Sequence, residues 1–219
     1  MTDRKTEGNG WLDIFAGEPV TTGSDTVSTA AAKAGPPGNA APAVVSVMRR
    51  LEAARTLDWP ARALAAVADG VVRSPGVDDA LRGAWLGHAL HPLLTDFPLG
   101  AWMSASFLDL FGGREARRPA QRLVGFGLVA AAPTIAAGLA EWRPTTGGSR
   151  RVGVLHAAVN STATGLYAAS WLARRRGSHR LAVGLGVGGG VVATLGGYVG
   201  GHLSLVRKIG TADPRFGPG

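Results

Sequence analysis

Apolar positions are spread unevenly along this chain. Up to about residue 82 they occur singly or in short amphipathic runs, and beyond it they merge into long stretches. The clearest runs from Leu123 to Ala140, eighteen residues without a charge. Val152–Ala173 is interrupted only by His156, Asn160 and small hydroxyl residues, and Leu181–Val206 carries, besides Tyr198, only His202 as an ionisable group. A weaker stretch, Ala89–Phe111, contains Asp96, Asp109, Pro92 and Pro98. At about 1.5 Å per residue each stretch suffices to cross a hydrocarbon core of about 30 Å. The pattern predicts an all-α fold with four membrane helices over 86–111, 121–142, 151–173 and 181–205. Their short connections predict antiparallel neighbours, an up-down four-helix transmembrane bundle.

Ahead of the bundle, helical periodicity returns on a smaller scale. Val44, Val47, Met48 and Leu51 share one face of a predicted helix over 43–56, with Arg49, Arg50 and Arg55 elsewhere. A second short helix is expected from Pro60, suited to a first turn, to about Val72. Such basic amphipathic helices either lie on a membrane surface or pack on the bundle as a soluble hairpin. Residues 1–42 are rich in Thr, Ser, Gly, Ala and Pro without periodicity and read as a disordered tail. Met1–Lys5 has no apolar core behind it and does not read as a signal peptide. The domain plan is therefore tail 1–42, amphipathic extension 43–82, membrane domain 83–212 and disordered end 213–219.

Composition changes this picture in three respects. The net charge of +8 reads as arginine flanking membrane helices, so nucleic acid is not an expected partner. The chain has no cysteine, which excludes disulfides, thiolate metal sites and cysteine nucleophiles within it. Arg114, Arg117, Arg118, Arg122, Arg174, Arg175, Arg176 and Arg180 flank two connections at one end of the bundle, and the connection at the other end has Arg143, Arg150 and Arg151. By charge asymmetry the arginine-rich end faces the cytoplasm, but Arg73, Arg82, Arg207 and Lys208 at the other end and the 82-residue tail that would then have to cross the membrane leave the opposite orientation open.

Candidate chemistry gathers at the opposite end. His88 and His91 open the first membrane helix, Asp96 follows about two turns in, Glu141 closes the second, His156 is near the start of the third and His202 near the end of the fourth. Alternating direction places these six residues in one layer about 10 Å deep. Ionisable groups inside a membrane are costly and mark candidate sites. His88 and His91 are three apart and share a helix side, while His156/Asn160 and Tyr198/His202 are four apart. The prolines are expected to bend the first helix and free carbonyls for polar partners. The fourth helix carries the small-xxx-small pairs Gly184/Gly188, Gly186/Gly190, Gly196/Gly200 and Gly197/Gly201, which suit close helix packing, within the chain or in a homo-oligomer. Glycine beside His202 would also leave room for a flat macrocycle.

Four motifs taken together, Trp85–Trp102 (WLGHALHPLLTDFPLGAW), Gly138–Trp142 (GLAEW), Arg150–Asn160 (RRVGVLHAAVN) and Gly196–Leu203 (GGYVGGHL), resemble an uncharacterised bacterial four-helix membrane domain, a domain of unknown function. Members of that family also occur fused to Rieske iron–sulfur domains. The resemblance covers about residues 78–212. It implies a multi-pass protein of the bacterial cytoplasmic (inner) membrane, and the fusion raises redox chemistry by analogy only. This chain has no Cys-His cluster motif, so an iron–sulfur partner would be a separate protein.

Three readings of the layer follow. In the first it belongs to a haem-binding or redox-associated membrane subunit, with His91, His156, His202 and His88 as candidate ligands of a b-type haem. In the second, His88, His91, His156, His202, Asp96 and Glu141 bind or pass a divalent metal. In the third the layer is an interhelical polar network in a non-catalytic structural or anchoring module, and the N-terminal helices recruit a partner. No hydrolase motif surrounds Ser104, Ser106 or Ser161, and the G-x-G patterns near residue 186 follow no strand.

Overall fold

The computed structural model describes residues 42–210; the expected tails fall on residues outside this range, apart from Pro42. All regular elements among the described residues are helices. Four are long: α4 (Leu90–Phe111), α5 (Arg117–Trp142), α6 (Gly147–Arg175) and α7 (His179–Gly201), the last running into a π-helical turn over His202–Val206. Three short ones precede them: α1 (Ala43–Ala53), α2 (Asp58–Val71) and α3 (Pro75–Arg82). The labels follow chain order.

The long helices form a ring in which each packs on the next and α7 closes onto α4. Neighbours are antiparallel. The start of α4 meets the end of α5, where a Cβ on Gly138 would lie 2.8 Å from His91 Nδ1. Ser170 Oγ, late in α6, donates to the Ala182 carbonyl, early in α7, at 2.6 Å. Two segments, Arg117–Trp142 and His179–Val206, are long and apolar enough to cross a membrane. With 22 and 29 residues, α4 and α6 are about 33 and 44 Å long at about 1.5 Å per residue.

The two hairpins, α4–α5 and α6–α7, are built to one plan. His91 and Asp109 of α4 correspond to His156 and Arg174 of α6, each 65 positions later. Trp102 corresponds to Tyr167 at the same offset, and these rings stack at 4.1 Å and 12°. Along α5 and α7 the offset is 62: buried Ala120, Val124, Gly127, Ala131, Thr134 and Ala137 match buried Ala182, Gly186, Gly189, Ala193, Gly196 and Val199. Side chains follow the same rule. Trp102 packs on Gly127 and Tyr167 on Gly189; His91 packs on Gly138 and His156 on Gly200. The hairpins start at the same end of the bundle and meet across its axis, as a two-fold rotation about that axis would place them. Parallel repeats of this kind recur in membrane proteins.

The first long helix starts later than the pattern predicts, at Leu90 and not at residue 86. Gly83 and Gly87 both adopt φ +75°, a left-handed conformation that breaks the helix and is open to glycine at no steric cost. Pro92 falls in the first turn of α4, where no backbone donor is needed. Pro98 lies inside the helix and removes the donor that would reach Leu94. Thr134 Oγ1, 2.8 Å from the Ala130 carbonyl of its own helix, shares its hydrogen with that freed carbonyl at 3.2 Å, a polar partner of the kind the prolines are expected to admit.

The N-terminal helices pack on the bundle. Met48 of α1 is buried with Val152 and Val199, beside Leu51, Leu155 and Leu203. Val44 and Val47, expected on the same face, are exposed. Ala61 and Ala68 of α2 pack on Trp142 and Val154. The helix α3 was not anticipated, yet its signals stand in the sequence. Ser74 Oγ accepts from Val77 N at 3.4 Å, Pro75 occupies the first turn and Gly83 ends the helix in the left-handed region, an ordinary start-and-stop pattern.

Candidate functional site: a histidine layer under a helical cap

His91 and His156 face each other across the bundle axis, ring centroids 6.1 Å apart and planes at 83°. His91 Nδ1 lies 2.8 Å from the Thr134 carbonyl, and His156 Nδ1 lies 3.1 Å from the Gly196 carbonyl. A carbonyl oxygen only accepts, so each Nδ1 carries a hydrogen and, in the neutral ring, Nε2 carries the lone pair. Each backbone also receives the same support: Thr95 Oγ1 donates to the His91 carbonyl at 2.8 Å, and Asn160 Nδ2 donates to the His156 carbonyl at 2.9 Å. Asn160 Nδ2 lies 3.4 Å from His156 Nε2.

Glycine makes this seating possible. A Cβ on Gly138 would lie 2.8 Å from His91 Nδ1, and one on Gly200 would lie 2.7 Å from His156 Cε1. The room beside Gly200, read from the sequence as space for a macrocycle, is therefore filled by the His156 ring. The four glycine pairs of α7 also separate. Gly186, Gly190, Gly196 and Gly200 face α6 side chains, whereas Gly184, Gly188, Gly197 and Gly201 have nothing within 4 Å.

Glu141 ends α5 and accepts from the His91 backbone N–H at 3.0 Å. The first turn of a helix presents unsatisfied donors and a partial positive charge. Glu141 thus caps α4, and Gly210 lies over its other oxygen, where a Cβ would be 2.6 Å from Oε2.

His202 takes a different partner. Its Nε2 lies 2.8 Å from Glu52 Oε1 on α1, with both side chains nearly buried. Arg207 grips both oxygens of the same carboxylate, with Nε at 2.6 Å from Oε1. These contacts hold the Glu52 carboxyl below the usual range, first through the Arg207 hydrogen bond and then through His202. Tyr198, paired with His202 by spacing, is half exposed.

The six predicted residues do not all converge. His91, His156 and Glu141 lie together; His202 lies at the same end but turns to the cap. His88 sits in the turn ahead of α4 and is exposed, so its three-residue spacing from His91 is not a helical one. Asp96 is exposed on α4, because five residues on from His91 points away from the axis. Among the described residues, no group of three or more His, Asp or Glu is placed to hold a metal ion. Glu52 and Arg207 were missed. Glu52 is the one acidic residue of a basic amphipathic helix, and that oddity was the available signal.

Two further contacts tie the cap to the bundle. Arg151 meets both oxygens of Asp58, at 2.7 and 3.1 Å, and donates to the Glu52 carbonyl at 3.0 Å. Arg143 Nε reaches Asp69 at 2.6 Å.

A family model described as "Predicted membrane protein (DUF2231)" matches residues 87–213. No curated protein and no solved structure matches the chain.

Proposed function

We propose, starting from a chain that belongs to the DUF2231 family of predicted membrane proteins, that all four long helices span the bacterial inner membrane and that the protein is an anchoring module. Its bundle holds the cap α1–α3 at one membrane face. The observation that carries this reading is the pairing of cap and bundle: Glu52 with His202 and Arg207, Asp58 with Arg151, Asp69 with Arg143. Every carboxylate in this set belongs to the cap and every base to the bundle. In support of four spans, α4 exposes Leu93, Phe97, Met103, Phe107 and Leu110, a patch that hydrocarbon tolerates and water does not.

Limited trypsin digestion in mild detergent tests the anchoring. The native chain is expected to resist cleavage at Arg62 and Arg73, and a Glu52→Ala, Asp58→Ala variant is expected to be cut there with its bundle intact. Equal cleavage of both proteins would overturn the reading.

One observation favours a second reading, a b-type haem held by His91 and His156 and served by a separate iron–sulfur or other redox protein. Both Nδ1 atoms are tied to backbone carbonyls, the arrangement that orients ligating imidazoles, and haem needs only two axial protein ligands. Against it, the two rings are packed against their glycines and each other, so a macrocycle would have to part the hairpins. A Soret band in protein from haem-supplied cells, lost in His91→Gln/His156→Gln, is its signature. Colourless, iron-free protein that takes up no haem overturns it.

A further inference from the structure

The end of the bundle away from the histidine layer holds a cleft of about 340 Å³ between the start of α5 and the end of α6, lined by Arg118, Gln121, Arg122, Arg174 and Arg175. Four guanidinium groups around one cleft repel each other unless an anion lies among them. Among the described residues, Arg118, Arg122 and Arg175 have no carboxylate within ion-pair distance. The acidic residue that does reach the cleft wall is already committed. Asp109 takes Arg174 Nη1 at 2.8 Å and Nη2 on its other oxygen, and the two side chains are 4% and 3% exposed.

Arg174 points independently to a ligand. Its Nε is buried and has no hydrogen-bond partner, although buried donors are nearly always satisfied. The Asp109 carboxylate occupies the outer two nitrogens and leaves this third donor unpaired behind the cleft wall that Arg174 helps to form. Arg175 is held in place beside it, its guanidinium 4.9 Å from the centroid of the Trp171 ring. Arginine forks match the geometry of phosphate oxygens. The cleft also stands where α5, itself apolar enough to span a membrane, begins, which is the depth of lipid headgroups.

We infer that this cleft binds the phosphate of an anionic phospholipid headgroup, with Arg118, Arg122 and Arg175 supplying the charge and the Asp109-paired Arg174 forming the inner wall. Basic pockets between membrane helices are suited to such headgroups. The inference needs only that α5 begins at a membrane face, and it stands whether or not the cap anchors a partner.

Native mass spectrometry of protein released from nanodiscs tests it. One set contains phosphatidylcholine alone and the other phosphatidylcholine with phosphatidylglycerol. The native chain is expected to retain one phosphatidylglycerol, and Arg118→Gln/Arg122→Gln/Arg175→Gln to retain it about a hundredfold more weakly, at about 1 kcal/mol per arginine. These three side chains are exposed, so folding is not at issue, and unfolding curves of both proteins check that. The control Arg49→Gln/Arg50→Gln removes two exposed arginines from the cap and is expected to retain lipid as the native chain does. Inorganic phosphate added at millimolar concentration is expected to leave the bound lipid in place. Equal retention by the triple variant, equal retention of phosphatidylcholine, or displacement by inorganic phosphate would each overturn the assignment to a lipid headgroup.

Discussion

The two ends of the bundle place ionisable residues at the same positions of a repeated hairpin and treat them in opposite ways. At one end the equivalent residues are both histidine, His91 and His156, each satisfied by its own hairpin through a backbone carbonyl. At the other they are Asp109 and Arg174, which pair with each other across the axis. The first end is closed by α1–α3; the second opens into an arginine-lined cleft. Local satisfaction makes each histidine replaceable by itself, whereas mutual satisfaction makes the loss of either member of the ion pair alone costly.

That contrast sets the scale of several outcomes. The largest is expected from Asp109→Ala, which strands a buried guanidinium and should cost about 3–5 kcal/mol in unfolding. The joint change Asp109→Leu/Arg174→Met should recover much of it; equal losses in the single and joint variants would break the comparison. Next come Gly138→Leu and Gly200→Leu, each driving a side chain into an imidazole. Overpacking of this kind costs about 1–3 kcal/mol, and the repeat requires similar losses at both positions. Gly201→Ala, where nothing lies within 4 Å, should instead be neutral or stabilising by up to about 1 kcal/mol. A loss at Gly201 equal to that at Gly200 would mean that the outer glycine face is also packed in the membrane.

Acid should act on the capped end. The Glu52 carboxyl is held below its ordinary value of 4.5 by Arg207, then His202. Its folded form therefore contributes stability fully above that ordinary value, and the contribution is lost as pH falls through the lowered one. Protease resistance of the cap should stay level from pH 8 to 6 as far as Glu52 is concerned and drop below pH 4.5, with the Glu52 share absent in Glu52→Gln. A native cap that loosens no more in acid than the variant would show that Glu52 does not hold it. The smallest effect is expected for His156→Gln, which keeps a donor near the Gly196 carbonyl. Interhelical hydrogen bonds in membranes average about 0.6 kcal/mol. A loss of several kcal/mol, or of a bound chromophore, would turn the comparison around.

Much of this architecture was legible in the sequence because hydrophobic length and helix direction are properties of the chain. The uncharged run Leu123–Ala140 announced α5, and counting along alternating helices placed His156 beside His91. What escaped depended on backbone geometry or on side chains far apart in sequence. The left-handed Gly83 and Gly87 cut four residues from the start of α4 and moved His88 off the helix. Asp96 was assigned by depth when its angular position, five residues past His91, takes it off the axis. Glu52 and His202 lie 150 positions apart, beyond any local pattern. The repeat was hidden because its matches are of role: His91 and His156 are identical, but Trp102 answers Tyr167 and Asp109 answers Arg174. The signal lay in constant spacing, not in similarity.

Four crossings of the membrane are the core of the proposed function, and among the described residues two helices are long and apolar enough to cross by themselves. The chain has no cysteine, so single substitutions report sidedness cleanly. Arg114→Cys, Thr146→Cys and Ser178→Cys lie in the three successive connections between the long helices. Labelling in intact cells with a membrane-impermeant maleimide is expected to place Arg114→Cys and Ser178→Cys on one side and Thr146→Cys on the other. Labelling of Arg114→Cys and Thr146→Cys from the same side would contradict the account, because α5 would then not cross.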